Sequence, residues 1–215
     1  MEAMHKNAVL WPTARGDVAI CSHCAAEEIR AYTFDSQFGS HAHYRSLYTR
    51  RESLENIAAR ADANVTLALV DGIRIVGFGV LAYPEAGERW ASLGHRLMLE
   101  VKAIEVSRSW RSAGVAGGIL KRMFFDSDIE NKIVYMVGYS WTWDLDGTGK
   151  SAQQYRKMLI DLFEPFGFQE YQTNEPNLCL KAENIFLGRI GKKVSATQKE
   201  NFKWLRFGIY PDASS

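Results

Sequence analysis

One stretch of the chain combines small residues and an arginine in a pattern that can bind an anion. Residues 102–121 read KAIEVSRSWRSAGVAGGILK, with Arg111 followed by the small residues Gly114 and Ala116. A strand-like run precedes this turn and a helical pattern follows it. Backbone N–H groups can therefore point outward together at the start of a helix, where the dipole favours an anion such as a pyrophosphate. The same residues could instead serve only tight packing, and the spacing alone favours neither interpretation.

Other motifs that carry chemistry are missing or incomplete. The turn has no Gly-Lys-Ser/Thr ending and no G-x-G-x-x-G, which excludes a P-loop and leaves a Rossmann dinucleotide site without support. Cys21 and Cys24 form a single C-x-x-C, without a second pair at zinc spacing. His41 and His43 are separated by one residue, which aligns two imidazoles poorly on a strand or a helix. We therefore predict no metal site.

The composition is that of an ordinary globular protein with nearly balanced charge. Of 215 residues, 47% are hydrophobic and 24% charged, and 26 Lys and Arg against 25 Asp and Glu leave a formal net charge of +1. A protein that binds nucleic acid by neutralising phosphates usually has a marked basic excess, so we predict no nucleic-acid partner. Three cysteines argue against a disulfide framework, and no apolar run approaches the roughly 20 residues that span a bilayer. We expect a cytoplasmic protein with no membrane partner.

Hydrophobic periodicity predicts mixed strands and helices along the chain. The clearest element is a hairpin at 64–81, in which Asp71 and Gly72 supply the turn. We predict further strands at 17–21, 97–106, 132–139, 168–172 and 184–190, and helices at 25–34, 40–61, 151–163 and 196–205, with another after Gly118. The helix at 40–61 is amphipathic and broken at most once. Since repeats and linkers are missing, residues 1–215 are predicted to form a single α/β or α+β domain.

The turn at Arg111 also resembles a family signature. Residues 111–116, Arg-Ser-Ala-Gly-Val-Ala, match the Arg/Gln-x-x-Gly-x-Gly/Ala pattern of the GNAT N-acetyltransferase superfamily. The predicted elements around it come in that superfamily's order: helices, hairpin, long strand, signature, helix, strand, helix and strand pair. Residues 17–191 are therefore identified as similar to a GNAT core, and residues 192–215 as a helical C-terminal tail.

Several shorter motifs resemble a narrower group in this superfamily, the acetoin utilisation acetyltransferases. The motifs are Glu88-Arg89-Trp90, Ala103-Ile104-Glu105-Val106, Trp143-Asp144-Leu145-x-Gly147-Thr148-Gly149, Tyr155-Arg156-Lys157-Met158 and Arg189-Ile190-Gly191-Lys192. The loop that begins at Trp143 is the most distinctive of them. Members of this group acetylate a lysine of acetyl-coenzyme A synthetase and thereby switch that enzyme off.

The resemblance implies a mixed sheet flanked by helices, in which the parallel strands 97–106 and 132–139 splay apart around acetyl-coenzyme A. The pyrophosphate would lie on backbone amides of residues 111–117, and the pantetheine arm would pair with the main chain of residues 104–106. An N–H near Val106 would polarise the thioester carbonyl. The coenzyme A-binding residues implied in this way are Ile104, Val106, Arg111, Ser112, Ala113, Gly114, Val115, Ala116 and Gly117.

Two glutamates on the long strand are the candidate catalytic bases. A lysine amine, with a pKa of about 10.4, is mostly protonated at neutral pH, so a base must accept its proton. Glu100 matches the place of the base in other lysine acetyltransferases of the superfamily, whereas Glu105 lies nearer the expected thioester, and we favour Glu105. Alternation along a regular strand puts the two on opposite faces, and a bulge would bring them to one face. Either residue alone could instead be an exposed glutamate paired to a basic neighbour.

The tyrosine that many GNAT enzymes use to protonate the departing thiolate is missing here. Its usual place, four residues before Gly167, is taken by Phe163. Tyr155 on the same helix or Tyr139 at a strand end could substitute, or the thiol could leave as a thiolate. Tyr155 also fits a core aromatic at helical spacing, which is the interpretation that we favour.

The aromatic loop at 140–149 is the predicted acceptor side. Trp141, Trp143 and Asp144 could hold the methylene stem and the ammonium of a lysine, with Asp146 beside them. The alternative is a tight turn in which the tryptophans are packed and the aspartates bind the local backbone.

Taken with the resemblance, these features predict an enzyme that moves an acetyl group from acetyl-coenzyme A to a lysine of a protein, such as an acyl-activating enzyme. The alternatives are a small-molecule N-acetyltransferase and a sensor that binds acyl-coenzyme A without turnover. Partner recognition is expected in the N-terminal segment and in the tail after Gly191.

Overall fold

The structure of the protein, a computed structural model, describes residues 8–60, 62–125 and 127–210. The chain divides into two units, which we describe separately. Unit 1 comprises Met1–Ala82, Lys102–Phe125 and Asp146–Thr148, and unit 2 comprises Tyr83–Val101, Asp126–Leu145 and Gly149–Ser215. Residues 1–7 and 211–215, which belong to the segments expected to recognise partners, lie outside the described residues.

Unit 1 is built on a largely antiparallel sheet. Its elements are, in chain order, β1 (Val9–Trp11), β2 (Val18–Cys21), α1 (Ala26–Arg30), β3 (Thr33–Phe34), β4 (Ser40–His41), β5 (Tyr44–Arg45), α2 (Arg51–Ala58), β6 (Ala63–Val70), β7 (Arg74–Ala82), the second half of β8 (Met98–Val106) and α3 (Val115–Met123). Strands β1, β2, β6 and β7 are antiparallel neighbours, β8 follows β7, and β3 pairs parallel to β7. The predicted hairpin is confirmed, and its turn residues Asp71 and Gly72 have φ of 52° and 73°.

Two glycines on β7 allow α3 to lie directly on the sheet of unit 1. A side chain at Gly79 would come within 2.8 Å of Ile119, and one at Gly77 would come within 3.2 Å of Val115. Side chains of α1 and α2 fill a separate apolar cluster with Phe78 of β7. Because β8 follows β7 in this sheet, α3 is positioned beside the end of β8. The chain between them, residues 107–114, contains the start of the family signature and is called the signature turn below.

The predicted helix at 40–61 is wrong in its first half. Residues 40–45 form a small hairpin of β4 and β5, with Ser40 opposite Arg45, and the helix begins only at Arg51. The backbone N–H of Leu47 donates to the Glu105 carboxylate at 2.6 Å, so it cannot serve an intrahelical bond. The apolar spacing in this segment therefore reflects packing against other residues of unit 1, and it does not mark one continuous helix. The predicted helix at 25–34 is also too long, because α1 ends at Arg30 and residues 33–34 form β3.

Unit 2 contains the first half of β8 and most of the remaining elements. These are β9 (Ile133–Gly138), part of α4 (Leu145–Thr148), α5 (Ala152–Phe163), β10 (Gln169–Glu170), α6 (Pro176–Cys179), β11 (Ile185–Ile190) and α7 (Ala196–Leu205). The tail helix α7 has the predicted bounds, and its Phe202 and Leu205 are buried in the core of unit 2 with Trp90 and Tyr135. Among the described residues, no helix is both long and apolar enough to cross a membrane.

The predicted parallel strand pair is confirmed in β8 and β9. The pairs run from Met98 opposite Ile133 to Glu100 opposite Tyr135, and both strands continue beyond the last pair. Strand β11 pairs antiparallel to β9, and β10 pairs antiparallel to β11. The fold class is therefore the predicted one, a mixed sheet with a splayed parallel pair and flanking helices.

Candidate active site

The signature turn joins β8 to α3, and two residues with positive φ bend its backbone. After Val106 the chain forms a 3-10 turn at Arg108–Trp110, and α3 begins at Val115. Ser112 has φ of 59° and Gly114 has φ of 81°, both in the left-handed region. Left-handed residues within a turn rotate successive N–H groups toward one side, which is the geometry of an anion-binding nest.

The backbone N–H groups of residues 112–117 are available to a ligand. Among the residues that the structure describes, none of them has a hydrogen-bond acceptor, and the first helical bond runs from the Gly118 N–H to the Gly114 carbonyl at 3.1 Å. A side chain at Gly117 would meet no atom within 4 Å, so this side of the turn is open. A side chain at Gly118 would come within 2.6 Å of Ile20. The turn thus has the geometry for both interpretations: amides without an acceptor among the described residues, and a glycine at 118 that close packing requires.

Arg111 connects the signature turn to the end of β8. Its Nε donates a hydrogen bond to the Val106 carbonyl at 3.0 Å, and its guanidinium carbon lies 5.9 Å from the centre of the Tyr44 ring. The Ser109 N–H in the same turn donates to Oε1 of Gln37 at 2.7 Å. These contacts fix the first part of the turn and leave the following amides for a ligand.

Glu105 is buried in unit 1 and accepts two hydrogen bonds. The residue is 9% exposed. Its Oε1 accepts a hydrogen bond from the Leu47 N–H at 2.6 Å, and its Oε2 accepts one from the Tyr44 hydroxyl at 3.0 Å. Burial is the largest influence on this group and raises the pKa of the Glu105 carboxyl above its ordinary value. The groups that oppose this shift are the Leu47 N–H, the hydroxyls of Tyr44 and Ser46, and the Arg111 charge.

Tyr44 and Leu47 are site residues that the sequence analysis missed. They lie 61 and 58 residues before Glu105, in a segment whose periodicity indicated a helix. No local pattern marks such a contact. The one feature of the sequence that indicates such a contact is Glu105 itself, because a glutamate within an apolar strand needs hydrogen-bond donors from elsewhere in the chain.

Glu100, the second candidate base, belongs to unit 2. It is half-buried on β8 beside Tyr135, whose ring is fully buried and whose hydroxyl donates to Glu88 at 3.4 Å. Burial raises the pKa of Tyr135 far above its ordinary value, and the charges of Glu100 and Glu88 add to the shift. Trp90 packs on Tyr135 at 5.4 Å between ring centres. The motif that begins at Glu88 therefore lies beside this candidate base.

The predicted acceptor residues differ in their exposure. Trp141 is 49% exposed and stacks on Tyr139 at 4.8 Å between ring centres. Trp143 and Asp144 are buried, and Trp143 stacks on Tyr155 at 5.1 Å. Of the three predicted residues, Trp141 is therefore the one whose ring is open to solvent.

The usual place of the tyrosine acid is closed. Phe163 is fully buried and packs edge-on against Phe168 at 5.0 Å between ring centres. Tyr155, the proposed substitute on the same helix, stacks on Trp143, and the angle between the two ring planes is 13°. Tyr139, the other substitute, has its pKa raised by burial and by the carboxylates of Glu175 and Glu100.

The cysteine motif lies apart from these residues, whereas the His41 ring stacks on the Tyr44 ring at 6.4 Å between centres. Cys21 and Cys24 are free thiols in the apolar core of unit 1, with 3.1 Å between their sulfur atoms. His41 contacts the Gln37 carbonyl at 3.1 Å. Within the described ranges, no three His, Cys, Asp or Glu side chains are grouped closely enough to hold a metal ion.

Comparison with known proteins identifies close relatives by sequence. No model of a known protein family matches the chain. The chain is 32% identical to acetoin utilization protein AcuA of Bacillus subtilis (strain 168), over 195 residues that cover 91% of each protein. It is 30% identical to the AcuA protein of Bacillus licheniformis over the same share of both chains.

Solved structures agree with this relationship and with the fold. The crystal structure of an acetoin utilization protein from Exiguobacterium sibiricum 255-15 matches with a TM-score of 0.85 and 26% identity, over 94% of both chains. A ribosomal-protein-alanine N-acetyltransferase from Brucella melitensis has a similar fold, with a TM-score of 0.50 and 16% identity over 80% of this chain and 98% of that one. The predicted resemblance is therefore confirmed. The chain belongs to the AcuA family of acetoin utilization proteins, and its fold is that of a GNAT-type N-acetyltransferase.

Proposed function

We propose that the protein transfers the acetyl group of acetyl-coenzyme A to a lysine amine of a protein, and that the acceptor is an acyl-activating enzyme such as acetyl-coenzyme A synthetase. The observation that carries the proposal is the run of backbone N–H groups at residues 112–117, which have no acceptor among the described residues. Neutral amides at the start of a helix bind a diphosphate without an excess of Lys and Arg. The formal net charge of +1 suits such a ligand.

The residues around the signature turn fit coenzyme A. The amides of residues 112–117 would hold the pyrophosphate, and Gly117 presents no side chain that could obstruct it. Ile104 and Val106 are half-buried at the end of β8, where extended main chain can pair with the pantetheine arm. The Val106 region would also donate the N–H that polarises the thioester carbonyl.

A carboxylate of the protein would accept the proton of the acceptor amine. When bound, acetyl-coenzyme A supplies an activated acetyl group as a thioester. The amine must lose a proton as its nitrogen bonds to the carbonyl carbon and the C–S bond breaks. Glu100 and Glu105 are the candidate bases. Glu105 already accepts hydrogen bonds at both carboxylate oxygens, and Glu100 lies beside the buried phenol of Tyr135.

The aromatic loop would receive the lysine. We propose that Trp141 contacts the methylene stem, because its ring is half-exposed and is held by stacking on Tyr139. Trp143 and Asp144 are buried, so they would support the loop rather than touch the acceptor in this arrangement.

We further propose that residues 1–215 act as one functional domain in the cytoplasm, with the acetyltransferase core at 17–191 and the tail at 192–215. The burial of Phe202 and Leu205 in unit 2 supports the inclusion of the tail in the folded domain. Three free cysteines, Cys21, Cys24 and Cys179, support a reducing compartment. Cell fractionation with an antibody against the protein tests the compartment.

The acceptor is tested by incubating the protein with acetyl-coenzyme A, labelled with carbon-13 in its acetyl group, and a bacterial cell extract. We expect mass spectrometry to find labelled lysine on an acyl-activating enzyme, and purified acetyl-coenzyme A synthetase to be labelled in a parallel reaction. Label on small amines alone would favour the small-molecule enzyme. Tight binding of coenzyme A without any labelled product would favour the sensor.

The base is tested with Glu100→Gln and Glu105→Gln. The variant that has lost the base should have a rate lower by roughly 100-fold to 10,000-fold, with loss of the rise in rate between acidic and neutral pH. The rate is measured against pH with acetyl-coenzyme A and the acceptor found in the extract. Wild-type rates in both variants would show that neither glutamate is the base.

A further inference from the structure

We propose that Cys21 and Cys24 form a redox-responsive site, at which a peroxide converts two buried thiols into a reversible disulfide. This inference goes beyond acetyl transfer and does not depend on the proposed function. Both residues lie in unit 1, Cys21 at the end of β2 and Cys24 shortly before α1, and their sulfur atoms are 3.1 Å apart. A disulfide bond is about 2.04 Å long, so its formation requires the two atoms to approach by about 1 Å.

Both cysteines are held by the same strand, β6. Cys21 pairs with Leu67 in the antiparallel ladder of β2 and β6. The Cys24 N–H donates a hydrogen bond to the Val65 carbonyl at 3.0 Å. Because Val65 and Leu67 are two positions apart on one strand, these bonds bring the two cysteines to neighbouring points of the sheet.

The turn between the cysteines is fixed by a buried amide. His23 has a φ of 54°, which reverses the chain direction, and its N–H donates to Oδ1 of Asn64 at 2.9 Å. Asn64 is itself buried, and the same oxygen accepts a hydrogen bond from the Thr66 hydroxyl at 3.1 Å. These hydrogen bonds use main-chain, amide and hydroxyl groups. The backbone therefore holds the sulfur atoms close together whether they are reduced or oxidised.

The surroundings of the sulfur atoms favour neutral groups. Both cysteines belong to an apolar cluster that includes Ile29. The Cys24 thiol donates to the Cys21 sulfur, and this bond, with burial, raises the pKa of Cys24 above its ordinary value. The nearby titratable groups are the Glu28 carboxylate, which raises the same pKa, and the Tyr32 phenol, whose own pKa burial raises to about 12. A disulfide is neutral and suits this cluster, whereas a sulfinate would place a charge among apolar side chains.

The oxidation step consumes one peroxide and leaves two waters. The Cys21 thiolate attacks a peroxide oxygen, the O–O bond breaks, and the departing hydroxide combines with the proton that Cys21 released. The Cys24 sulfur then bonds to the Cys21 sulfur, the S–O bond of the sulfenic acid breaks, and the second hydroxide takes the Cys24 proton. The two thiols together lose two electrons and two protons, which a dithiol reductant returns.

Burial makes this site respond to an excess of oxidant. The sulfur atoms are covered, whereas His23 and Ala25 of the same turn are exposed, so a peroxide reaches the thiols when this turn opens. Covered thiols of high pKa react slowly. In a reducing compartment the pair therefore rests as two thiols and forms the disulfide only when peroxide is present.

The test uses the Cys179→Ser protein, because Cys179 is an exposed thiol that would react as well. The folded protein is treated with hydrogen peroxide, the peroxide is removed with catalase, and the protein is unfolded in guanidinium with iodoacetamide and digested with trypsin. Cleavage after Arg15 and Arg30 leaves both cysteines in one peptide, residues 16–30. We expect most of this peptide to have lost two hydrogen atoms and to carry no iodoacetamide label. Dithiothreitol added to the folded, oxidised protein should restore two labelled thiols.

Cys21→Ala and Cys24→Ala, each in the same Cys179→Ser background, are the matched controls. Neither can form the bond, so the loss of two hydrogen atoms should be absent in both, and the remaining cysteine should be labelled or carry added oxygen. The proposal does not depend on the folding of these controls, because the peptide from the paired protein is decisive. Two labelled thiols after peroxide, added oxygen in place of the lost hydrogen atoms, or a disulfide that forms only in guanidinium would overturn it. A disulfide that dithiothreitol leaves intact in the folded protein would refute its reversibility.

Discussion

Two glutamates on β8 have the same chemistry and different surroundings. Glu105 is enclosed by the Tyr44 hydroxyl and the Leu47 N–H, which occupy both of its oxygens. Glu100 lies beside the phenol of Tyr135, together with a second carboxylate, that of Glu88. By residue type alone, either glutamate is a candidate base. Their surroundings distinguish them, because the Glu105 carboxyl is enclosed by donors and the Glu100 carboxyl lies near another acidic group.

The enclosed carboxyl makes the stability of the protein depend on pH. Because burial raises the pKa of Glu105 in the folded state, the folded protein binds this proton more tightly than the unfolded chain, whose glutamate titrates at about 4.3. The contribution of Glu105 is therefore fully present below about pH 4.3 and is lost as the pH rises through the raised value. The free energy of unfolding of the wild type, relative to Glu105→Gln, should fall as the pH rises, by at most about 1.4 kcal/mol per pH unit.

Urea denaturation of both proteins between pH 4 and pH 8 measures this difference. Glu27→Gln is the matched control, because Glu27 is an exposed residue on α1. Its difference from the wild type should change less with pH than that of Glu105→Gln. A constant difference between the wild type and Glu105→Gln across the range would contradict the expectation.

At the scale of elements, adjacent glycines in the first turns of α3 have different surroundings. Gly117 faces open space next to the amides of the signature turn, whereas Gly118 lies against Ile20 and Trp11. The sequence shows two identical residues side by side. The helix period separates them by direction, because neighbouring positions differ by about 100° around the axis.

Substitutions at the two glycines should therefore separate binding from stability. Gly117→Asp places a negative charge beside the amides, and we expect at least a roughly tenfold loss of coenzyme A affinity with little change in melting temperature. Gly118→Ala should lower the free energy of unfolding by about 1–3 kcal/mol, since its methyl group would overlap Ile20. Isothermal calorimetry and thermal unfolding measure the two effects. Normal affinity in Gly117→Asp would argue against the amides of the signature turn as the pyrophosphate site.

For the whole molecule, the charge balance and the fold are compatible with the proposal that an anionic ligand binds through the main chain. The formal net charge of +1 provides no general attraction for polyanions. The amides of residues 112–117, which have no acceptor among the described residues, would provide a local attraction for a diphosphate. The similarity to AcuA proteins covers 91% of the chain, so both units are common to the family.

Coenzyme A should stabilise the folded protein, as a ligand that binds only the folded state does. At a free concentration of about 100 times its Kd, the free energy of unfolding should rise by about 2.7 kcal/mol. Amide exchange should slow most in peptides that contain residues 104–117, because the amides of the signature turn would gain acceptors. Denaturation and hydrogen exchange with and without coenzyme A measure both effects, with Gly117→Asp as the control. Unchanged exchange at residues 112–117 in the saturated wild type would refute the proposed contact.

The sequence by itself determined the features that depend on short stretches of chain. The hairpin with its Asp71-Gly72 turn, the long strand before Arg111, the helix after the signature and the bounds of α7 follow from local periodicity and turn chemistry. The signature also predicted the GNAT fold, because its arginine and small residues lie close together in the chain. These features are readable because each depends on neighbours within a few positions.

The tertiary structure alone decided which distant groups meet. Tyr44 and Leu47 reach Glu105 across about sixty residues, and the bonds that they make replace the helix that the periodicity of residues 40–61 predicted. The burial of Phe163, the exposure of Trp141 and the different directions of Gly117 and Gly118 were likewise settled by packing. A local pattern records which side of an element is apolar, but the partner of a buried polar group is set by the folding of the whole chain, and so the site was complete only in three dimensions.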